Sequence, residues 1–341
     1  MSEPFDPVET AEYIASRQLA DGCIPHFDGS IADPWNHVEA AMGLDAAGHH
    51  GEARRAYRWL LSIQRSDGAW ASAYRDGAIE DATLDANFIA YSAAGLWHHY
   101  VATGDLDFLE RCWDAVDRAI AFTLGLQSAD GAVLWARDER YEPWPLPLLT
   151  STSCIHLSLR CAIAIADAVG VERPDWELAL GSIGRAINDP SVTWADKSRF
   201  SMDWYYPVLG GAVPDEGTAR ALLRSQWDTF VEEGLGTRCV SDRPWVTSGE
   251  TSELILALDV AGLKDEAETM FDWLQHLRVE GGGYWMGANF PGTIVWPKQQ
   301  PTWAAGAVLL AADAFERTTS TSGFFRGETF PEPVSGLVDP L

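Results

Sequence analysis

The chain has 341 residues, 47% of them hydrophobic and 22% charged, a balance that supports a sizeable core and excludes a globally disordered polymer. Fifty acidic residues against 24 Lys and Arg give a formal charge of -26, which argues against nucleic acid, an anionic membrane or an acidic polymer as partner. Five cysteines without a CxxC pair read as reduced, buried thiols; the N-terminal stretch MSEPFDPVETAEY has no hydrophobic signal core and no apolar run looks long enough to span a membrane, so a cytoplasmic location is expected.

Helical periodicity starts near Val8, Pro34, Glu52, Leu84, Leu106, Thr152, Asp175, Met202, Asp215, Gly249, Asp265 and Pro301, about twelve helices, with strand-like alternation almost absent. The links alternate in length. Short ones, such as Asp45–Ala53, Ala102–Phe108 and Val260–Ala267, pair a glycine C-cap with an acid that opens the next helix. Long ones run over Asp21–Asp33, Asp67–Asp81, Asp130–Thr150, Asp189–Ser201, Glu232–Ser248 and Glu280–Pro301.

The long links open on a recurring punctuation. QRSDGAW (Gln64–Trp70) has weaker copies in SRQLADGCIPHF, LGLQSADGAVLW and WLQHLRVEGGGYW. Helices alternate between a small-residue type (Ala40–Gly48, Ile89–Leu96, Ala304–Asp313) and a charged-stripe type (Gly51–Gln64, Asp107–Phe122). Six helical hairpins with long loops at one end predict an all-α fold, an (α/α)6 barrel forming a closed toroid over residues 1–317. The Pro-, Gly-, Ser- and Thr-rich segment 318–341 reads as a tail docked through Phe324, Phe325 and Phe330.

The long-loop face collects the chemistry. Of 16 tryptophans, Trp59, Trp97, Trp113, Trp176, Trp227 and Trp273 fall inside helices. Trp35, Trp70, Trp135, Trp144, Trp194, Trp204, Trp245, Trp285, Trp296 and Trp303 fall in long loops or at first turns. A Trp offers a flat apolar plane with one N–H donor; as a set these suit a sugar ring, although for any single one anchoring its loop is the commoner role. Acids open the small-residue helices: Asp33, Asp81, Asp85, Asp203, Glu250 and Glu253. Glycosidic cleavage needs two carboxyl groups across the scissile bond, and helix starts on opposite sides of a ring supply that arrangement. Capping alone would account for Asp33 ahead of Pro34, and a capping box for Glu250. We therefore expect Asp33 and Glu250 as the catalytic pair, with Asp81, Asp85, Asp203 and Glu253 in reserve. Substrate contacts are expected from Trp35, His37, Trp70, Asp81, Asp85, Asp203, Trp204, Tyr205, Trp285 and Trp303. No HExxH, His/Cys cluster, Gly-rich phosphate loop or G-x-S-x-G motif is present, so neither a metal nor a cofactor is expected.

QRSDGAW matches the QxxDGxW repeat of triterpene cyclases and prenyltransferase-like α-barrels, and similar turns occur in six-hairpin glycosidases. The nearest stretch to the cyclase DxDD motif is EDATLD, which does not match. Cys239 and Asp242 have no following histidine before His276, which breaks the prenyltransferase zinc pattern. The acids at helix starts resemble those of six-hairpin glycoside hydrolases. Within them the chain is similar to the actinobacterial hydrolases of methylmannose polysaccharide. That resemblance implies endo-cleavage of α-1,4-linked, partly methylated mannose, with Asp33 and Glu250 matching the acids, and a neutral saccharide as partner. The rival readings are an isoprenoid enzyme, a sugar epimerase using His37 with His26 or His156, and a non-catalytic glycan-binding protein.

Overall fold

The computed structural model describes residues 5–331. Among the described residues it has thirteen α-helices: α1 Pro7–Arg17, α2 Pro34–Ala46, α3 His50–Ser62, α4 Ala86–Thr103, α5 Leu106–Leu124, α6 Leu149–Ala168, α7 Pro174–Asn188, α8 Met202–Leu209, α9 Glu216–Ser225, α10 Trp227–Phe230, α11 Ser248–Val260, α12 Lys264–Leu274 and α13 Thr302–Glu316. Twelve of these fall at the starts expected from periodicity; α10 is a four-residue addition.

The helices form two layers. α2 packs on α4, α4 on α6, α6 on α8, α8 on α11, α11 on α13, and α13 on α2. Small residues permit this crowding: a Cβ built on Gly43 of α2 would lie 2.6 Å from Gly306 Cα of α13. The other layer is amphipathic, with α3 against α2 and α4, α5 against α4 and α6, and α12 against α11 and α13. α6 is long and apolar enough to cross a membrane by length and composition, but 78% of its apolar window is buried, as in a core helix.

The Gln/Asp-Gly punctuation turns out to be a stitch between neighbouring outer helices. Gln18 Nε2 donates to Gly22 O and to Glu52 O in α3. Gln64 Nε2 does the same to Gly68 O and Ala115 O of α5, and Gln127 Nε2 to Gly131 O and Ala179 O of α7. Asp21, Asp67 and Asp130 each accept from the backbone N–H two residues on, closing an Asx-turn. Gly68 sits at φ 88°, and a Cβ there would meet Arg118 O at 2.4 Å, so only glycine lets the turn touch the next helix. The aromatic anchors the turn: Trp70 is fully buried and its Nε1 donates to Leu60 O at 2.8 Å.

Strands were not legible in the alternation, yet among the described residues nine short ones build the long loops. They are β1 Ala73–Arg75, β2 Ala78–Asp81, β3 Leu84–Asp85, β4 Ala136–Arg137, β5 Val231–Glu232, β6 Gly236–Arg238, β7 Trp245–Thr247, β8 Gly287–Asn289 and β9 Ile294–Val295. At two to four residues each they are too short to show a period. β1 pairs with β2 and β3 with β4, and β5 to β9 form an antiparallel sheet in chain order. β3 runs straight into α4 and β7 straight into α11, so the strands aim the first turns of those helices.

At the short-loop end, His98 and His99 are buried, and Asp45 accepts from both His99 and His50. After α13, Phe324 and Phe325 are buried, Phe330 stacks on Trp97, and Arg326 pairs with Asp259. The expected tail beyond residue 331 lies outside the described residues.

Candidate functional site

Two acids stand at the first turns of α2 and α11. Asp33 is the N-cap of α2: its Oδ1 accepts from Asn36 N at 2.9 Å. Its Oδ2 takes two further contacts, at 2.6 Å from His26 Nε2 and at 2.6 Å from Asn36 Nδ2. These contacts fix the orientation of the buried carboxyl group. His26 belongs to the long loop before α2 and was weighed only as an epimerase base; the structure gives it to Asp33 instead.

Glu250 is partly exposed in the first turn of α11. Thr247, the last residue of β7, donates its hydroxyl to one carboxylate oxygen. The Cys239 thiol lies alongside; burial first, then the charge of Glu250, push its pKa up. Gly249 leaves the notch into which Trp303 fits, since a Cβ there would be 2.5 Å from Trp303 Cζ3. The Trp303 indole N–H has no hydrogen-bond partner among the described residues. α2 and α11 are second neighbours, each packed on α13, rather than opposite one another as expected.

Beneath the two acids lies a polar floor. Glu253, one turn below Glu250, accepts from the hydroxyls of Tyr205 and, at 2.5 Å, Tyr206. Glu39 of α2 accepts from Tyr91 of α4 at 2.6 Å. Burial pushes Glu253 up to about 8 and Glu39 up to about 7, so both tend to hold a proton near neutrality. Both line a small cavity with Trp35, Tyr91, Cys154 and Tyr206. Glu39 was absent from the expected set, although a lone carboxyl inside the small apolar run from Val38 to Leu44 was a usable signal.

The other expected residues divide. Trp35 is half-buried and stacks on Tyr91 at 4.8 Å, and Trp285 and Trp303 are half-buried on the same face. Asp85 caps α4 and receives Trp135 Nε1 at 2.6 Å. Burial, reinforced by the nearby charge of Asp33, pushes Asp85 up to about 6 against those hydrogen bonds. Asp203 is partly buried and accepts from Thr150 at 2.5 Å. Asp81 is exposed and closes a turn onto Thr83 N. Four expectations are corrected. Trp70 is a loop anchor with no free face. Trp204 is 3% exposed, stacked on Phe230, with its N–H on Leu222 O. His37 is buried with Nδ1 receiving Ile24 N and Nε2 on Ala56 O, and burial lowers its pKa to about 4. Tyr205 is fully buried and acts on Glu253 rather than on the open cleft.

Among the described residues no group of three or more His, Cys, Asp or Glu gathers as a metal would require. Two ionisable carboxyls, an apolar aromatic wall and a largely neutral floor suit acid–base cleavage of an uncharged substrate.

No family model matches the chain. It is 46% identical over 333 residues, 97% of this chain and 92% of the relative, to the MMP endo-(1,4)-3-O-methyl-alpha-D-mannosidase of Mycolicibacterium hassiacum. Among solved structures, a wild-type glycosidase superposes with a TM-score of 0.71 at 17% identity, covering 91% of this chain and 96% of that one. A sugar epimerase from a ruminal bacterium gives a TM-score of 0.70 at 10% identity, covering 91% and 96%. At such identities these two likenesses establish the fold alone.

Proposed function

Because the chain belongs to the family of the MMP endo-(1,4)-3-O-methyl-alpha-D-mannosidase, we propose that this glycoside hydrolase cuts α-1,4-linked, 3-O-methylated mannose chains internally, with Asp33 and Glu250 as its two carboxyl groups. Glu250, in its protonated form, gives its proton to the glycosidic oxygen as the bond from C1 to that oxygen breaks. Asp33, ionised, takes a proton from the water whose oxygen bonds to C1 from the opposite face. The products are two shorter saccharides, and each acid is reset by proton exchange with solvent.

The observation that carries the roles is the unequal dressing of the two acids. Asp33 is held by contacts from His26, Asn36 and the helix start, which fix its carboxyl group in place to orient a water. Glu250 accepts from the Thr247 hydroxyl, has the Cys239 thiol alongside and adjoins Gly249, against which the Trp303 ring packs, so it is less tightly held than Asp33 and free to reach the glycosidic oxygen. Placement on second-neighbour helices supports a gap wide enough for a water, hence inversion, for which about 6.5–9.5 Å is required.

The packing order of α2, α4, α6, α8, α11 and α13 supports reading the fold as six hairpins closed into a toroid. Residues 1–317 would be the catalytic domain and 318–341 a tail packed on it. Five free cysteines fit a reducing compartment, and a cytoplasmic location is part of this reading.

The test is digestion of 3-O-methylmannose oligosaccharides by the wild type, Glu250→Gln and Asp33→Asn, with product sizes resolved. Internal cutting by the wild type, lost by at least about 100-fold in each variant, is expected. Full activity in either variant would remove that residue from the pair.

A further inference from the structure

The exposed apolar residues are not scattered. Of ten large hydrophobic residues left exposed among the described residues, six lie in the long loops of the site face: Ile79, Tyr141, Trp144, Leu146, Ile294 and Trp296. Two of them, Trp144 and Trp296, each belong to a tryptophan pair. In the loop before α6, Trp135 and Trp144 lie 5.0 Å apart at 49°, with Trp144 44% exposed. In the loops before α11 and α13, Trp245 and Trp296 lie 5.4 Å apart at 72°, with Trp296 57% exposed.

In each pair the more buried indole is bound in place and the other is presented to solvent. Trp135 donates to Asp85, the cap of α4, and β4 beside it pairs with β3. Trp245 donates to the Trp296 carbonyl at 2.6 Å, and its strand β7 ends in Thr247, which donates to Glu250. One platform therefore stands over α4 and α6, the other over α11 and α13. In the packing order α2, α4, α6, α8, α11, α13 these are facing sectors, with Asp33 on α2 between them and Glu250 on α11 at the inner edge of the second.

Loop anchoring does not explain Trp144 or Trp296, because an anchor is buried, as Trp70 is. A grouped exposed apolar surface on a strongly acidic protein marks a binding surface. We propose that the two tryptophan pairs are the distal subsites of the cleft. They hold the methylated faces of a mannose chain on either side of the acid pair, so that the enzyme reads chain length and methylation at its rim. The occupant follows from continuity with the candidate site and from chemistry. A 3-O-methyl ether replaces a hydroxyl by an apolar group, and a flat indole gains contact with it where a polar rim would lose a hydrogen bond. The inference rests on the substrate reading above.

The experiment compares the wild type with Trp144→Ala, Trp296→Ala and a distant control, Leu178→Ala on α7. The substrates are α-1,4 oligosaccharides of graded length, with and without 3-O-methyl groups. Each rim variant is expected to raise KM for long methylated chains about ten-fold with kcat nearly unchanged. The shortest substrates should be unaffected, and the preference for methylated chains should shrink. Trp144→Phe should restore most of the loss, and Leu178→Ala should change nothing. An unaltered KM and an unaltered length dependence in both rim variants would overturn the proposal. Calorimetric binding of the methylated chains to Glu250→Gln, alone and with each rim change, separates the two readings. Activity retained in Glu250→Gln would refute the acid assignment, while the rim changes would still show in binding. No binding of methylated chains by any form would refute the substrate reading and the platforms together.

Discussion

The outer wall from α1 to α7 and the stretch from Asn188 to Phe230 solve one problem in two ways. In the first, three Gln/Asp-Gly stitches tie α1 to α3, α3 to α5 and α5 to α7 by the same donors and the same glycine approach. In the second, Asn188 takes the glutamine's place, donating to Gly184 O and Ala212 O. An arginine on α9, Arg220, then reaches Ala261 O at the end of α11. Here α8 is only eight residues long and contains Pro207, and a five-stranded sheet follows. The regular half repeats because its task is spacing. The irregular half departs because it also carries Tyr205 and Tyr206 to Glu253 and aims Glu250 through β7. Asp33 comes from the regular half, so the candidate acid pair is assembled across the two.

The sharpest way to break this comparison is to remove a stitch. Gly68→Ala or Gly131→Ala should cost about 3 kcal/mol or more, because each added methyl meets a carbonyl of the next helix at a positive φ. Gly77→Ala, at φ 77° with open space around it, should cost only about 1 kcal/mol. Urea denaturation compares them, and equal losses would mean that the close approach is not what the motif preserves.

Gln64→Ala comes next. It strips two carbonyls of their donor and should cost about 1–3 kcal/mol, and Asn188→Ala should cost a similar amount. If only Gln64→Ala destabilises, the irregular half is held by its sheet and Arg220, and Asn188 is no substitute stitch.

A smaller effect probes the floor through pH. The pKa of Glu253 is raised from 4.5 to about 8 and that of Glu39 to about 7 in the folded chain. Stability tied to their protonated forms is therefore complete below about pH 4.5 and is lost as pH rises through 7 and 8. Glu253→Gln keeps the neutral form at every pH, so its Tm should fall less than that of the wild type between pH 6 and about 9. Parallel Tm curves would show that Glu253 does not titrate there.

Much of the architecture was legible because it is periodic. The starts of α2, α5 and α8 were read to the residue at Pro34, Leu106 and Met202: an acid cap precedes the first two, with proline at the first, and apolar spacing marks all three. The strands were illegible because pairs of two to four residues have no period. The site was half legible. Position alone cannot separate Trp70, in a long loop, from Trp35, in a first turn: both fall on the long-loop face, and what makes Trp70 an anchor is a carbonyl ten residues away, at Leu60. His37 likewise looked free to reach the cleft because nothing local marks its bonds to Ile24 and Ala56. The relation of Asp33 to Glu250 needs the packing order, which no single stretch of sequence carries.

The most direct test of the central claim is the anomeric configuration of the first product, followed by NMR while a 3-O-methylmannose oligosaccharide is being cut. The account predicts that the new reducing end appears first as the β-anomer, because water attacks opposite the departing α-linked oxygen. An initial α-anomer would mean retention through a covalent intermediate, and would contradict a pair in which Asp33 works only as a base for water.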